Sequence, residues 1–318
     1  MRKVWTRRRF LAATTTVAAV AACSPDKPGV VAKDGSVTVK HLFGETKVPA
    51  PPTRVVSAGY TEQDDLLAVG VVPIAVTNWW GDQPFGVWPW AQPKLGGAQP
   101  EVLDLADGIQ IDRIAALKPD LIVATNAGVD QDTYNKLSAI APTIPQSGQD
   151  AFFEPWKQQA AAIGQAVFKF DEMAALVKGV EDKFTAVAAT DQPFSGKKVL
   201  LLEGAIVDDA VHLVTPDWRT EFLTQMGFAI PDTGGATITR DKMASTLDAA
   251  DVLIWTTEGD DQQAALLADP TIAKLAATGA NRNVFTGKDL AGAIAFASPL
   301  SYPVVADQLP PALAKVLG

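Results

Sequence analysis

The sequence predicts an α/β protein of two lobes, each a parallel sheet flanked by helices, with a helical segment between them. Three observations carry this. Short β-rich runs alternate with helix starts in the order that builds parallel sheets. One helix-then-strand pattern occurs twice, far apart in the chain. From Trp156 to Gln192 no proline interrupts a stretch whose apolar residues fall on one helical face.

The first lobe opens on the run Arg54 to Tyr60, β-rich and meeting a glycine at Gly59. Thr61-Glu62-Gln63-Asp64 then starts a helix, its acids in the first turn where the helix dipole favours them. That helix ends at Gly70, and Val71 to Thr77 reads as the next strand. The second lobe repeats the grammar. Lys198 to Glu203 is a strand ending at Gly204, Asp217 to Met226 a helix closed by Gly227, and Phe228-Ala229-Ile230 follows. The duplicated pattern pairs Ile109–Ala115, running into Pro119–Thr125, with Ile238–Ala244, running into Asp251–Thr256. In both, a carboxylate begins a short helix and an Asp precedes an apolar strand. Two related lobes explain this; the alternative is chance likeness between common α/β units.

In the middle, Ile163, Val167, Phe170, Met173, Val177, Val180, Phe184 and Val187 are spaced by three and four. A continuous helix there would run roughly 55 Å at 1.5 Å per residue. Gly164 and Asp171 offer a break near Lys169. The reading divides the chain into a first lobe over 38–150, a connecting spine over 151–192 and a second lobe over 193–318. A cleft is expected between the lobes, where strand C-termini face each other.

The N-terminus is a targeting segment over 1–22. Arg2, Lys3, Arg7, Arg8 and Arg9 form a basic region, followed by an uncharged stretch from Phe10 to Ala22 that is too short to span a bilayer. Thr6-Arg7-Arg8-Arg9-Phe10-Leu11 resembles a twin-arginine export signal, although arginine-rich starts also serve the general route. Val20-Ala21-Ala22-Cys23 resembles a bacterial lipobox; Cys23 would become the lipidated first residue, and 23–37 a tether to the membrane. A plain secretory signal with a chance cysteine is the alternative. Cleavage removes five of the 27 basic residues and no acid, leaving 22 against 36 and a net charge of −14. A body that acidic repels nucleic acid. One cysteine excludes a disulfide framework, and two histidines cannot form a three-His metal site. Nor does the chain carry a nucleophile elbow, a P-loop, a dinucleotide fingerprint or an H-E-x-x-H motif. It is therefore expected not to be an enzyme and to need no cofactor. An extracytoplasmic hydrolase using His212 is kept as the alternative from another class. The adjacent pairs Asp64-Asp65, Asp208-Asp209 and Asp260-Asp261 are expected to be solvated.

Four of the eight tryptophans, Trp79, Trp80, Trp88 and Trp90, lie on one Gly- and Pro-containing loop after a strand. They either offer flat apolar area to a large ligand or pack as a satellite cluster on their own lobe. Tyr60 sits just past the first strand and either faces ligand or packs on a neighbouring loop. Arg219, one of five arginines in the mature chain, is a candidate clamp for a ligand oxygen, with a surface ion pair to Glu221 or Asp217 as the alternative. Asn126 and Trp255-Thr256 end strands on the same expected edge.

Pro52-Thr53-Arg54-Val55-Val56, the run from Asp64 to Ile74, and Ile114-Ala115-Ala116-Leu117-Lys118-Pro119-Asp120-Leu121-Ile122 resemble bacterial ferric-siderophore-binding lipoproteins of ABC importers, most of all the ferric-citrate-type proteins of mycobacteria. The resemblance spans about residues 38–317. It implies two Rossmann-like lobes joined by a long helix, of the class III periplasmic binding protein type. It also implies an ABC permease as partner, and a monomeric receptor lipid-anchored at the outer face of the cytoplasmic membrane. One docking carboxylate per lobe would sit at Asp112 and Asp241, where the family usually has Glu. The implied ligand is an iron–siderophore complex, with haem, ligated by Tyr60, as the alternative.

Overall fold

The computed structural model describes residues 28–190 and 194–318. The targeting segment, Cys23 and the start of the tether lie outside them. A small antiparallel ribbon comes first, β1 (Val37–His41) with β2 (Gly44–Val48). The first lobe follows as β3 (Val55–Ser57), α1 (Glu62–Ala68), β4 (Ala75–Thr77), β5 (Glu101–Leu103), α2 (Ile111–Ala116), β6 (Leu121–Ala124), α3 (Gln131–Ser138) and β7 (Thr143–Pro145). Its five strands are all parallel, in the order β5-β4-β3-β6-β7. Both faces are covered, so the strands read as unbroken apolar runs. Val55 points to the face packed against Ile163 and Met173, and Val56 to the face packed against Ile114 and Leu137.

The connection is α4 (Trp156–Ala166) and α5 (Phe170–Ala188). The second lobe comprises β8 (Val199–Glu203), β9 (Ala210–His212), α6 (Glu221–Gln225), β10 (Thr237–Thr239), α7 (Arg240–Leu247), β11 (Val252–Thr256), α8 (Asp260–Ala268), α9 (Ala276–Gly279), β12 (Asn283–Phe285), α10 (Gly287–Phe296) and α11 (Ser301–Leu317). Its parallel sheet has the order β12-β11-β8, with β9 and β10 as a separate antiparallel ribbon. Side-chain parity again divides the core. Val199, Leu201, Val252 and Ile254 meet α5, α6, α10 and α11, whereas Leu200, Leu202, Leu253 and Trp255 meet Met243, Leu247 and Leu266.

The middle is not one rod. It breaks beside Lys169, whose N–H bonds the Gly164 carbonyl at 2.7 Å, after Phe168 turns left-handed at φ 62. The break folds α5 back on α4 so closely that a Cβ on Gly164 would lie 2.6 Å from Met173 Cβ. α5, about 28 Å long, then packs on α4 and α1 of the first lobe and on α6 and α11 of the second. Two shorter expectations also change. Val71 to Ile74 is irregular, with the strand starting at Ala75, because the Val71 N–H is spent on the Leu66 carbonyl closing α1. Phe228 to Ile230 makes only a single bridge, between Ala229 and Lys198.

The duplicated grammar has structural counterparts. Gly59 follows β3 and Gly204 follows β8. A Cβ on either would lie 2.5 Å from a backbone oxygen at the end of the neighbouring strand, that of Asn126 or Thr256 respectively. Only glycine lets the chain turn that tightly against the sheet edge. Asp112 and Asp241 each lie exposed in the first turn of a short helix, α2 before β6 and α7 before β11.

Candidate functional site

A cavity of about 490 Å³ opens between the lobes at the strand C-termini. That size lies in the range of small-molecule sites. The first lobe contributes Trp79 and Trp80, and the loop before α4 contributes Phe153. From the second lobe come Arg219, the α10 residues Ala291, Ile294 and Ala295, and the strand-end residues Glu203, Thr256 and Glu258.

The tryptophan loop does two jobs. Trp79 and Trp80 line the cavity, half-buried and edge-to-face at 6.1 Å. Trp88 does not reach it. Its indole is 1 % exposed and is wedged between the lobes, stacked on Trp90 at 5.0 Å and edge-on to Phe296 of α10 at 5.9 Å. Room for it is made by two glycines; a Cβ on Gly81 or on Gly292 would lie 2.5 Å from the ring. Trp90 is spent structurally too, donating Nε1–H to Asp64 Oδ2 at 2.7 Å. Thus two of the four indoles face the cavity and two join the lobes behind it.

Tyr60 is half-buried beside the wall. Its ring stacks on Trp79 at 5.5 Å and on Phe152 at 5.7 Å. Asn126 lies behind the surface, 1 % exposed. Its amide donates to Thr61 Oγ1 at 3.0 Å and accepts the Phe153 N–H at 2.9 Å. It therefore positions Phe153, which holds the left-handed φ of 58 and whose carbonyl accepts the Trp218 indole N–H. Trp255 is absent from the cavity. Strand parity turns it to the far face of the sheet, where it is fully buried and donates to Asn283 Oδ1 at 3.0 Å.

Arg219 is 4 % exposed and lines the cavity. Its Nη1 donates to the Ala295 carbonyl at 2.6 Å, and its guanidinium lies over the Phe153 ring at 4.8 Å and the Trp218 ring at 5.0 Å. The ion pair with Glu221 does not form, because Glu221 binds Lys157 at 2.8 Å. Burial lowers the Arg219 pKa to about 10, so it remains a cation at neutral pH. Among the described residues it has no carboxylate partner. A desolvated cation between two aromatic rings and facing a cavity is suited to an electronegative ligand oxygen.

Asp64 and Asp65 are not solvated. They are buried, at 0 % and 1 % exposure, together with Glu62 at 0 %. The reason is that α1 is buried along its whole length, packed against α4 and α5. Asp64 Oδ2 accepts from Ser298 Oγ of the second lobe at 2.6 Å as well as from Trp90, and Gln159 donates to Asp65 Oδ2 at 2.8 Å. Asp208, Asp209, Asp260 and Asp261 are exposed, as expected. His212 lies in the β9–β10 ribbon beside Thr237 Oγ1 at 3.2 Å and does not line the cavity.

Phe152, Phe153, Glu203 and Glu258 escape the sequence reading. The two Glu stand at or just past strand ends, a legible signal. The Phe pair sits in 151–192, which reads as spine.

The chain matches the periplasmic binding protein family over residues 55–290. A periplasmic solute binding protein of Mycobacterium smegmatis is 67% identical, with a TM-score of 0.88 over 90% of this chain and 100% of that one. Streptococcus pneumoniae PiaA, solved in complex with ferrichrome, is 25% identical, with a TM-score of 0.71 over 88% of this chain and 98% of that one. The probable siderophore-binding lipoprotein YfiY of Bacillus subtilis is 26% identical over 70% of this chain and 66% of its own length. The chain spans under two thirds of the length of the curated relatives it matches.

Proposed function

The chain belongs to the periplasmic binding protein family, and from that premise we propose that it is the extracytoplasmic, lipid-anchored receptor of an ABC importer, capturing an iron–siderophore complex and delivering it to the permease. One observation carries the reading: an interlobe cavity whose aromatic wall, Trp79, Trp80 and Phe153, closes on the buried Arg219. The rings suit the apolar rim of a bulky chelate, and the guanidinium suits the electronegative oxygens around its iron. The ferrichrome complex of PiaA and the name of YfiY support the same ligand class. Carriage without chemistry is supported by His212 lying outside the cavity.

Titration of the mature protein with ferrichrome, ferrioxamine B or ferric carboxymycobactin should quench tryptophan fluorescence saturably, and the iron-free chelators should do so weakly or not at all. A folded protein unquenched by every one of these would overturn the reading. Asp112 and Asp241 are the proposed permease contacts, one exposed carboxylate per lobe. The Asp112→Ala, Asp241→Ala double variant is expected to abolish uptake in cells while the titration curve stays within about twofold of wild type, as for exposed positions remote from the cavity. Wild-type uptake by that variant would remove the assignment.

A further inference from the structure

The charge of the cavity is uneven, and its acidic part has no role in gripping the core of a chelate. Arg219 is the single base among the lining residues, whereas two carboxylates, Glu203 and Glu258, stand at the mouth on the second lobe. Both are exposed and belong to one sheet edge. Glu203 is the last residue of β8, in register with Thr256 of β11, and Glu258 follows two residues later. Glu258 is held by its own backbone, its N–H bonding Gln262 Oε1 at 2.6 Å, and Gln262 is also at the cavity. Among the described residues neither Glu is in an ion pair. The cationic and anionic parts are thus separated in depth: a nine-tenths-buried guanidinium between aromatic rings inside, and two solvated carboxylates at the rim.

We infer that Glu203 and Glu258 set the charge preference of the receptor, selecting iron chelates with a neutral oxygen-rich core and a cationic arm, such as a tris-hydroxamate ending in an ammonium. The inference rests on the proposed function and specifies its ligand class. The core oxygens meet Arg219 and the indoles. The arm reaches the mouth, where two unpaired carboxylates receive it. Polyanionic chelates are disfavoured twice, by a lining that is net negative and by a mature body of net charge −14 that repels them on approach.

The test uses a matched pair: ferrioxamine B, which ends in an ammonium, and its N-acetylated form, which keeps the iron core and loses the charge. Ferric citrate serves as the anionic probe. Ferrioxamine B is expected to bind roughly 5- to 10-fold more tightly than the acetylated form at low salt, within the range two solvated ion pairs supply. The difference should shrink in 0.5 M salt. The Glu203→Gln, Glu258→Gln double variant should bind the two hydroxamates alike and gain affinity for ferric citrate. Equal binding of the pair by the wild type, or an undiminished preference in the double variant, overturns the inference and leaves the chelate site standing. If no chelate binds, the site assignment falls and the inference with it.

Discussion

Trp88→Ala is expected to cost about 3–5 kcal/mol of stability, the range for removing a large buried aromatic side chain. The reason is its place, not its kind. The indole fills the seam between the lobes, with Gly81 and the α10 backbone at Gly292 against the ring, Trp90 stacked on its face, and Trp80 and Phe296 edge-to-face with it. An alanine leaves a void that neither glycine can fill, and the lobes lose their spacer. Trp80→Ala is the control. It removes a half-buried ring from the cavity wall, so its main effect should be a tenfold or greater loss of chelate affinity, with a smaller stability change, near 1–2 kcal/mol for the lost apolar area. Urea unfolding of the two variants, followed by ligand titration, separates the roles. If Trp88→Ala unfolds at the wild-type midpoint, the indole is not the spacer described.

The contrast between these neighbouring tryptophans shows how far the residues can be read in advance. The two lobes are legible because parallel strands buried on both faces leave unbroken apolar runs, and because the pairing of α2 with β6 and of α7 with β11 repeats one pattern. The break at Lys169 is legible only as an option, since Gly164 marks a close helix crossing whose partner, Met173, is identified only in three dimensions. Loop composition points to the cleft, but composition carries no direction. Nothing in the string of residues from Asn78 to Trp90 says that two indoles turn to the cavity and two to the seam. Trp255 shows the same gap in a strand. Its position one residue before the strand end suggests the cleft, while strand parity sends it to the opposite face. Asp64 and Asp65 defeat the sequence reading because adjacent carboxylates are normally solvated, and their donors come from distant segments: Ser298, Trp90 and Gln159.

That buried group makes the stability depend on pH in an unusual direction. Burial pushes Glu62 up to about 7, against the opposing bonds from the Asn126 and Thr61 N–H groups. Burial likewise raises Asp64 to about 6, against hydrogen bonds from Ser298 and Trp90. Asp65 is raised well above the usual carboxylate range, mostly by burial, with the Asp64, Glu62 and Glu154 charges adding to it. Below about pH 4 each group is protonated in both the folded and the unfolded chain, and its contribution is fully present. As pH rises towards 6–7, the unfolded chain ionises first and the folded one must follow against burial, so stability is lost. Raising a carboxyl pKa by one on folding is equivalent to about 1.4 kcal/mol, so the fall between about pH 5 and pH 8 should be on the order of a few kcal/mol. Asp120 and Asp269, where burial is outweighed by hydrogen bonds that hold the carboxyl low, work in the other sense. Their window lies below about pH 4, and they only set the acid limit. Burial also holds His41 down at about 4, which adds stability as pH rises from about 4 to 6.5 and offsets part of the fall there, so urea midpoints should decline mainly between about pH 6 and pH 8, and Asp65→Asn should flatten that decline by stabilising the protein at about pH 8. A midpoint that rises steadily across that range would show that these carboxylates ionise freely in the folded state. The seam would then have to hold their charge with more than the donors Ser298 and Trp90, of which Ser298 ties Asp64 to the other lobe.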